Sequence, residues 1–217
     1  MSAEPFIDNP SWSDVQPILD GLPVFTLANE DEKPLQYEVN GKPMAIFYAD
    51  VAAAKQQFDA VTEQNPDLGY DLTPVGVGTA YKLSCEGKAI LVPGVTELTA
   101  AGMPEGMSPM GQELPLFACM EIKRDTDDGG TVTPLFMSSE DCAATVQDAR
   151  DAAEGATSKL DIVCLPLDSV VEHLLSNVGA PPTFSFMPPT RSTEHIAKYV
   201  GKGVYYRVVD EGDVDGE

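Results

Sequence analysis

Residues 22–25 read LPVF, and residues 114–117 read LPLF. Two nearly identical stretches, 92 positions apart in a chain of 217 residues, predict that one structural unit occurs twice. A duplicated unit should continue after each opening with the same elements in the same order. The residues that follow LPVF and LPLF meet that condition.

The first copy continues with alternating strands and helices. After a polar stretch, its predicted elements are a strand in KPMAIFYAD (42–50), a helix over about 50–64, a strand in YDLTPVGV (70–77), a short helix in GTAYKL (78–83) and a strand in AILVP (89–93). The long helix has apolar residues at helical spacing: Val51, Ala54, Phe58 and Val61. Asp50 is a suitable N-cap, and Asn65-Pro66 stops the helix.

The second copy repeats this order. Its predicted elements are a strand in LPLFACMEIKR (114–124), a polar turn in DTDDGG (125–130), a strand in TVTPLFM (131–137), a helix from Ser138, a strand in KLDIVCLPL (159–167), a short helix in DSVVEHLLS (168–176) and a strand in TFSFMPP (183–189). Ser138 and Asp141 have capping-box spacing at the start of the long helix. Pro43 and Phe47 are predicted to correspond to Pro134 and Phe136, and Asp50 to Asp141.

The repeat predicts an α+β fold of two pseudo-symmetric halves, each ordered strand, strand, helix, strand, short helix, strand. One half alone has so few strands that it would expose the apolar face of its sheet. The halves should therefore pack together as one structural domain. The predicted parts are an N-terminal segment with a short amphipathic helix (1–21), half one (22–94), a Gly/Pro/Met linker (95–113), half two (114–189) and a C-terminal extension (190–217) with a short helix, a strand over 204–210 and an acidic tail.

The charge restricts the choice of partners. The chain has 35 acidic and 13 basic side chains, a net charge of −22. This charge disfavours nucleic acid and anionic lipid surfaces, and it leaves two interpretations, solubility alone or attraction of a basic partner. No apolar run reaches the length of a membrane span, and MSAEPFIDNPSWSDVQ is typical of neither a secretory signal nor a transit peptide.

The motifs in the sequence favour neither an enzyme nor a metal or cofactor site. Gly76 and Gly78 lie at a strand-to-helix turn but lack the rest of a phosphate-binding motif. Ser108 lacks the closing glycine of a nucleophile elbow, and DTDDGG lacks the glutamate of a calcium loop. The two histidines, His173 and His195, are expected to be solvated helix residues. The four cysteines, whose spacing does not suit zinc, are expected to be mostly buried free thiols: Cys85, Cys119, Cys142 and Cys164.

Aromatic residues recur on strand-like stretches of both copies. The more conservative interpretation places most of them in the core. The alternative is a groove between or beside the halves in which an extended peptide lies. The candidates for such a peptide groove are Phe25, Phe47, Phe117, Phe136 and Tyr81.

Several segments resemble the 22-kilodalton Tic family of the translocon at the inner envelope membrane of chloroplasts. The chain is similar to a divergent, algal-type member of this family. The likeness covers about residues 15–190 and is strongest over 58–93. It rests there on NPDL (65–68), Val75, Gly78, Tyr81, Leu83 and Val92-Pro93. The resemblance implies a two-lobed α+β fold with apolar pockets and no known catalytic residues.

The resemblance also implies a function and a location. The implied function is a chaperone-like role in plastid protein import, in which the protein passes preproteins between the outer and inner envelope translocons. The implied partners are preproteins or transit peptides and envelope translocon components. The implied location is the plastid intermembrane space, with the protein soluble or peripherally associated. The alternative is an accessory subunit of a plastid membrane complex, such as a photosynthetic complex, without catalysis. Binding of nucleic acid and direct membrane insertion are not expected.

Overall fold

A computed structural model of the chain describes residues 6–127, 129–152 and 160–199. In this part the chain forms ten strands: β1 Pro23–Ala28, β2 Gln36–Val39, β3 Lys42–Tyr48, β4 Asp71–Gly76, β5 Ala89–Val92, β6 Pro115–Cys119, β7 Arg124–Asp125, β8 Thr131–Phe136, β9 Ile162–Pro166 and β10 Phe184–Met187. It forms seven α-helices: α1 Trp12–Leu19, α2 Val51–Gln64, α3 Val77–Cys85, α4 Val95–Ala100, α5 Ser139–Ala152, α6 Leu167–Ser176 and α7 Thr190–Lys198. The predicted strand over 204–210 and the acidic tail lie outside the described residues.

The two halves have the same sheet topology. In the first sheet β3 pairs with β1, β2 and β5, and β1 also pairs with β4. In the second sheet β8 pairs with β6, β7 and β10, and β6 also pairs with β9. The only parallel pairs among these described strands are β3 with β5 and β8 with β10, so even the strand directions match. The α+β fold of two pseudo-symmetric halves is confirmed.

The strand register corrects the predicted correspondence of side chains. Phe25 pairs with Tyr48 in the first sheet, and Phe117 pairs with Phe136 in the second. The counterpart of Phe136 is therefore Tyr48, not Phe47. A shift of one residue moves a strand side chain to the opposite face of the sheet. The predicted correspondence therefore placed the matched side chain on the wrong face.

The same correction applies to the N-terminus of the long helices. Asp50 caps α2, accepting a hydrogen bond from the backbone N–H of Ala52 at 2.9 Å. The residue in that place in the second half is Ser138, whose hydroxyl accepts from the N–H of Asp141 at 3.1 Å. Asp141, which was expected to match Asp50, lies three residues further along.

Each copy is longer than the sequence pattern indicated. The polar stretch of the first copy contains β2, and LPLFACMEIKR divides into β6 and β7. The segment predicted to be a linker begins with α4, which follows β5 as α7 follows β10. The predicted C-terminal helical extension is therefore the last element of the second copy. Gly and Met around α4 obscured a helix of only six residues.

The core has one central and three outer parts. The inner faces of both sheets meet α1, α3 and α6 in a central cluster that includes Val24, Phe47, Tyr81, Leu116, Leu135 and Val171. Helix α2 covers the outer face of the first sheet around Phe25, Leu72 and Phe58. Helix α5 covers the second through Cys142 and Val146. Each half thus buries both faces of its sheet. The central cluster forms only when both halves are present.

The last helix of each copy packs on the other copy. Helix α4 ends the first copy and contacts α5 of the second, and α7 ends the second copy and contacts α2 of the first. From α7, the His195 ring lies edge-on to Phe25, with ring centroids 5.5 Å apart. Through this reciprocal exchange each half contributes its last helix to the packing of the other half. It also buries His195, contrary to the expectation of a solvated residue.

Candidate functional site: a cleft between the two halves

The five aromatic residues proposed for a peptide groove are buried. Their exposed fractions range from 0% for Phe25 to 6% for Tyr81. Phe47 and Tyr81 belong to the central cluster, whereas the other three lie in two of the outer ones. The structure therefore does not bring the five together in one groove, and the conservative interpretation describes them as core. Their part in peptide binding stays a prediction, and of the five only Tyr81 lines an open cleft.

That cleft lies between the halves and has a volume of about 590 Å³. Its walls come from the β2–β3 turn, α3, β5, residues 110–114 and the start of α6. The apolar part of its lining includes Met44, Ile90, Leu91, Met110, Leu114 and Leu167. A concave, mainly apolar site of this size is typical of ligand binding. The cleft was not predicted, because residues 110–113 were assigned to the linker and Leu114 to the strand that follows it.

A hydrogen bond between the halves crosses the cleft. The Tyr81 hydroxyl of α3 donates to Oδ1 of Asp168 in α6 at 2.9 Å. The Tyr81 ring stacks on Trp12 of α1, with centroids 5.7 Å apart. Burial, with the neighbouring Asp168 carboxylate, raises the pKa of Tyr81, so the hydroxyl stays a donor. The phenol and carboxylate fix the relative position of α3 and α6 beside the cleft.

The charged residues of the cleft lining are both acidic. Glu113 and Asp168 are exposed carboxylates on its wall, and no Lys, Arg or His belongs to the described lining. Nearby, Lys88 forms an ion pair with Glu86 at 2.6 Å. The cleft therefore combines an apolar lining with negative charge, which suits a ligand that carries apolar and basic groups.

The corresponding place in the second half holds a smaller pocket. It has a volume of about 140 Å³ and lies beside β10 and α6, with Leu174 and Phe184 in its lining. Val15 and Ile18 of α1 lie along the same pocket, and Ile18 and Val178 expose 47% and 42% of their surface. Helix α1 thus breaks the symmetry, since it narrows one site and leaves the other open.

The turn with Gly76 and Gly78 has a structural role. The Asp20 carboxylate accepts a hydrogen bond from the N–H of Thr79 in the first turn of α3 at 2.7 Å. A Cβ at Gly76 would lie 2.6 Å from Cα of Asp20, and one at Gly78 would lie 2.5 Å from the carbonyl oxygen of Gln16. The glycines are required because α1 packs directly against this turn. Asp20 occupies the helix N-terminus at which a phosphate would bind.

Carboxylates also lie at the N-termini of helices where the two halves exchange α4 and α7. Asp141 accepts a hydrogen bond from the N–H of Thr190 at 2.8 Å, and Glu140 pairs with Arg191 at 2.7 Å. Burial raises the pKa of Glu97 in α4, and the nearby Asp50 adds to the shift. These contacts stabilise helix ends.

Over residues 6–127, 129–152 and 160–199, no group of three or more His, Cys, Asp or Glu side chains could hold a metal ion.

The thiols are free, and they are less buried than expected. Cys119 and Cys142 are buried and Cys85 is half-buried, but Cys164 is exposed. Cys164 lies on β9, which pairs only with β6 among the described strands. An edge strand leaves side chains accessible that an apolar sequence pattern assigns to the core.

The solved structures with a similar fold include the following two. The first is "Tic22 from Plasmodium falciparum", 20% identical, with a TM-score of 0.68, over 88% of this chain and 98% of that chain. The second is "Anabaena Tic22 (protein transport)", 18% identical, with a TM-score of 0.64, over 86% of this chain and 96% of that chain. At these identities the likeness concerns the fold alone. Among proteins with curated descriptions, no match was found.

The family is shown by the sequence itself. The profile of the Tic22-like family matches residues 7–198. The match spans both copies of the repeat, including α4 and α7, which the sequence pattern had placed outside them. In the described part of the chain, no helix is both long and apolar enough to cross a membrane. The protein belongs to the Tic22-like family.

Proposed function

We propose that this protein is a chaperone-like component of plastid protein import. It binds extended, basic segments of preproteins and passes them between the outer and inner envelope translocons in the intermembrane space. The Tic22-like family is implicated in protein transport and is not a known family of enzymes. The Anabaena relative is itself described as a protein of protein transport.

The observation that carries the proposal is the lining of the cleft. Apolar side chains such as Met110, Leu114 and Leu167 lie beside the carboxylates of Glu113 and Asp168. Transit peptides are amphipathic, rich in Arg and poor in acidic residues. Such a segment would place apolar side chains on the lining and guanidinium groups at the carboxylates. A net charge of −22 would in addition speed its approach.

Fluorescence anisotropy tests the proposal directly. The probe is a labelled synthetic peptide of about twenty residues with the composition of a transit peptide. We expect binding that weakens as salt rises to physiological levels, where the Debye length is about 8 Å. Replacing Glu113→Gln and Asp168→Asn together should weaken binding by about tenfold, since each exposed ion pair contributes about 0–1 kcal/mol.

The matched control removes the same charge elsewhere. Asp59→Asn with Glu63→Gln neutralises two exposed carboxylates of α2, outside the lining of the cleft. This variant should bind within about twofold of the original protein. Absence of peptide binding, or equal weakening by both pairs, would contradict the proposal. Stable co-purification with one membrane complex would instead favour a fixed subunit.

A further inference from the structure

Strand β9 leaves one edge of the second sheet open. It pairs only with β6 among the described strands, and none of its five residues is buried. Ile162 exposes 41% of its surface, and Cys164 is exposed as well. We infer that an extended basic segment of a preprotein adds to the sheet along β9. The inference rests on the proposed function and names a second contact surface for the same partner, outside the cleft.

The pairing of β9 with β6 shows which backbone groups face outwards. Leu167 donates its N–H to the carbonyl oxygen of Leu114 at 2.9 Å, directly beyond the ends of these two strands. In an antiparallel pair, residues that bond to the neighbouring strand alternate with residues that do not. Counting back from Leu167 along the register, Ile162 and Cys164 fall on the alternate positions. Their N–H and C=O groups therefore point away from β6, towards the open edge.

The matching strand of the first half carries a proline at this position. Pro74 of β4 pairs with Phe25, as Cys164 of β9 pairs with Phe117. Because proline has no N–H, a strand added to β4 would lack a hydrogen bond there. The two halves thus differ in how well the edges of their sheets can bind another strand.

A carboxylate occupies the next outward position of β4. The N–H of Leu72 donates to Oδ1 of its neighbour Asp71 at 2.8 Å. Prolines and charged residues are common means by which proteins protect a sheet edge. Strand β9 has no charged residue, and its only proline, Pro166, comes last. The second sheet therefore lacks the protection that the first sheet has.

The end of β9 leads into the cleft. The strand ends at Pro166, and the next two residues, Leu167 and Asp168, belong to the lining of the cleft. An extended segment held in the cleft can therefore continue along β9. The five residues of β9 span about 17 Å, so about five residues of the partner would lie beside them.

The charges favour a basic partner over a second copy of this chain. Asp161 directly precedes β9, and Asp168 follows two residues after its end. Arg150 of α5 lies near the start of β9, where it donates to the carbonyl oxygen of Leu160 at 2.8 Å. A second copy would bring a further net charge of −22, whereas a transit peptide is rich in Arg and poor in acidic residues. Backbone pairing would bind such segments without requiring one particular sequence.

A proline at the open edge tests the pairing. Cys164→Pro removes an outward N–H and spares the bonds to β6, and β4 already holds Pro74 at the same position. Cys164→Ala is the matched control for the lost thiol. The probe is a labelled peptide of about twenty residues with the composition of a transit peptide. The proline variant should bind it at least about threefold more weakly than the alanine variant, because one backbone bond contributes about two- to tenfold in affinity.

Hydrogen exchange of the original protein tests the same bonds without a substitution. Saturating peptide should slow exchange at the amides of Ile162 and Cys164 by about threefold or more. The amides of Val163 and Leu165, which face β6, are the internal reference and should change less. Where affinity and exchange disagree, exchange decides, since a variant can lose affinity through a change in its own fold.

The outcomes separate this inference from the proposed function. No binding of the peptide to the original protein would contradict the proposed function, and strand addition with it. Binding with equal affinities of the two Cys164 variants, and unchanged exchange at Ile162 and Cys164, would overturn strand addition and leave the proposed function standing. Weaker binding by the proline variant, with slower exchange at both amides, would support both.

Discussion

Asp20 and Thr79 join two segments that are 59 residues apart, through a hydrogen bond of 2.7 Å from the Thr79 N–H to the Asp20 carboxylate. The same carboxylate accepts from the Thr79 hydroxyl at 3.3 Å, and Gln16 donates to it at 3.3 Å. An N-terminal helix thereby caps α3, the helix that carries Tyr81 to the cleft. The geometry of the cleft depends on this contact.

Asp20→Asn should lower the free energy of unfolding by about 1–2 kcal/mol, because a charged cap is replaced by a neutral one whose NH₂ group cannot accept. Chemical denaturation measures the loss. Asp59→Asn, an exposed change on α2, is the control and should stay within about 0.5 kcal/mol. Equal losses in the free energy of unfolding for the two variants would show that Asp20 does not stabilise the N-terminus of α3.

Gly76→Ala should destabilise the protein by more than the small size of the added methyl group suggests. The added methyl group would lie 2.6 Å from the Cα of Asp20, so the backbone of α1 must move. We expect a loss of about 2–3 kcal/mol. Gly21→Ala is the matched control, since its Cβ would approach only the carbonyl oxygen of Ile18, at 3.5 Å. A Gly76→Ala variant as stable as the Gly21→Ala variant would contradict the packing of α1 on this turn.

Tyr81→Phe removes the hydrogen bond between the halves and keeps the ring on Trp12. The loss in unfolding free energy should be about 0.5–1.5 kcal/mol. Tyr37→Phe is the comparison, because the Tyr37 hydroxyl accepts from Gln57 at 3.3 Å within the first half only. If the cleft depends on the Tyr81 bond, only Tyr81→Phe should also weaken peptide binding. If Tyr81→Phe leaves the affinity for the peptide unchanged, the hydrogen bond between Tyr81 and Asp168 contributes to stability only.

His195 should make stability depend on pH. Burial, with the charges of Lys55 and Lys198, lowers the pKa of His195 to about 4, whereas an exposed histidine has its pKa near 6.5. As pH falls from about 6.5 to about 4, the unfolded chain takes up a proton that the folded chain does not, so stability is lost across that range.

The loss should be about 1–3 kcal/mol and should be absent from the His195→Phe variant, in which the aromatic contact with Phe25 can persist. Denaturation of both proteins at a series of pH values measures the difference, since carboxylates contribute equally to the two curves. Parallel curves would mean that His195 is not buried in solution.

Local sequence signals predicted the elements that they specify. The long helix was predicted over about 50–64 and runs from Val51 to Gln64, because Asp50, the apolar spacing and Asn65-Pro66 all act locally. The repeat itself followed from the order of such elements. A shared order of strands and helices therefore sufficed to predict the fold.

The register and the cleft are products of tertiary structure. Phe47 and Tyr48 both suit a buried strand, and only pairing with β1 decides which of them faces α2. Residues 110–113 have no regular pattern, yet Met110 lines the cleft beside Leu114, because α4 and β6 position this segment there. The distance between Tyr81 and Asp168, 87 residues apart, likewise has no local signal.

The most direct test of cleft binding is site-specific photo-cross-linking during import into intact plastids. A photoreactive amino acid replaces Met110 in the cleft or, as the matched control, Leu68 outside it; these side chains are 45% and 50% exposed. We predict adducts with a preprotein in transit at Met110 and few or none at Leu68. Equal adducts at both positions, or no preprotein adduct at Met110, would contradict the central claim that the cleft between the halves binds preproteins.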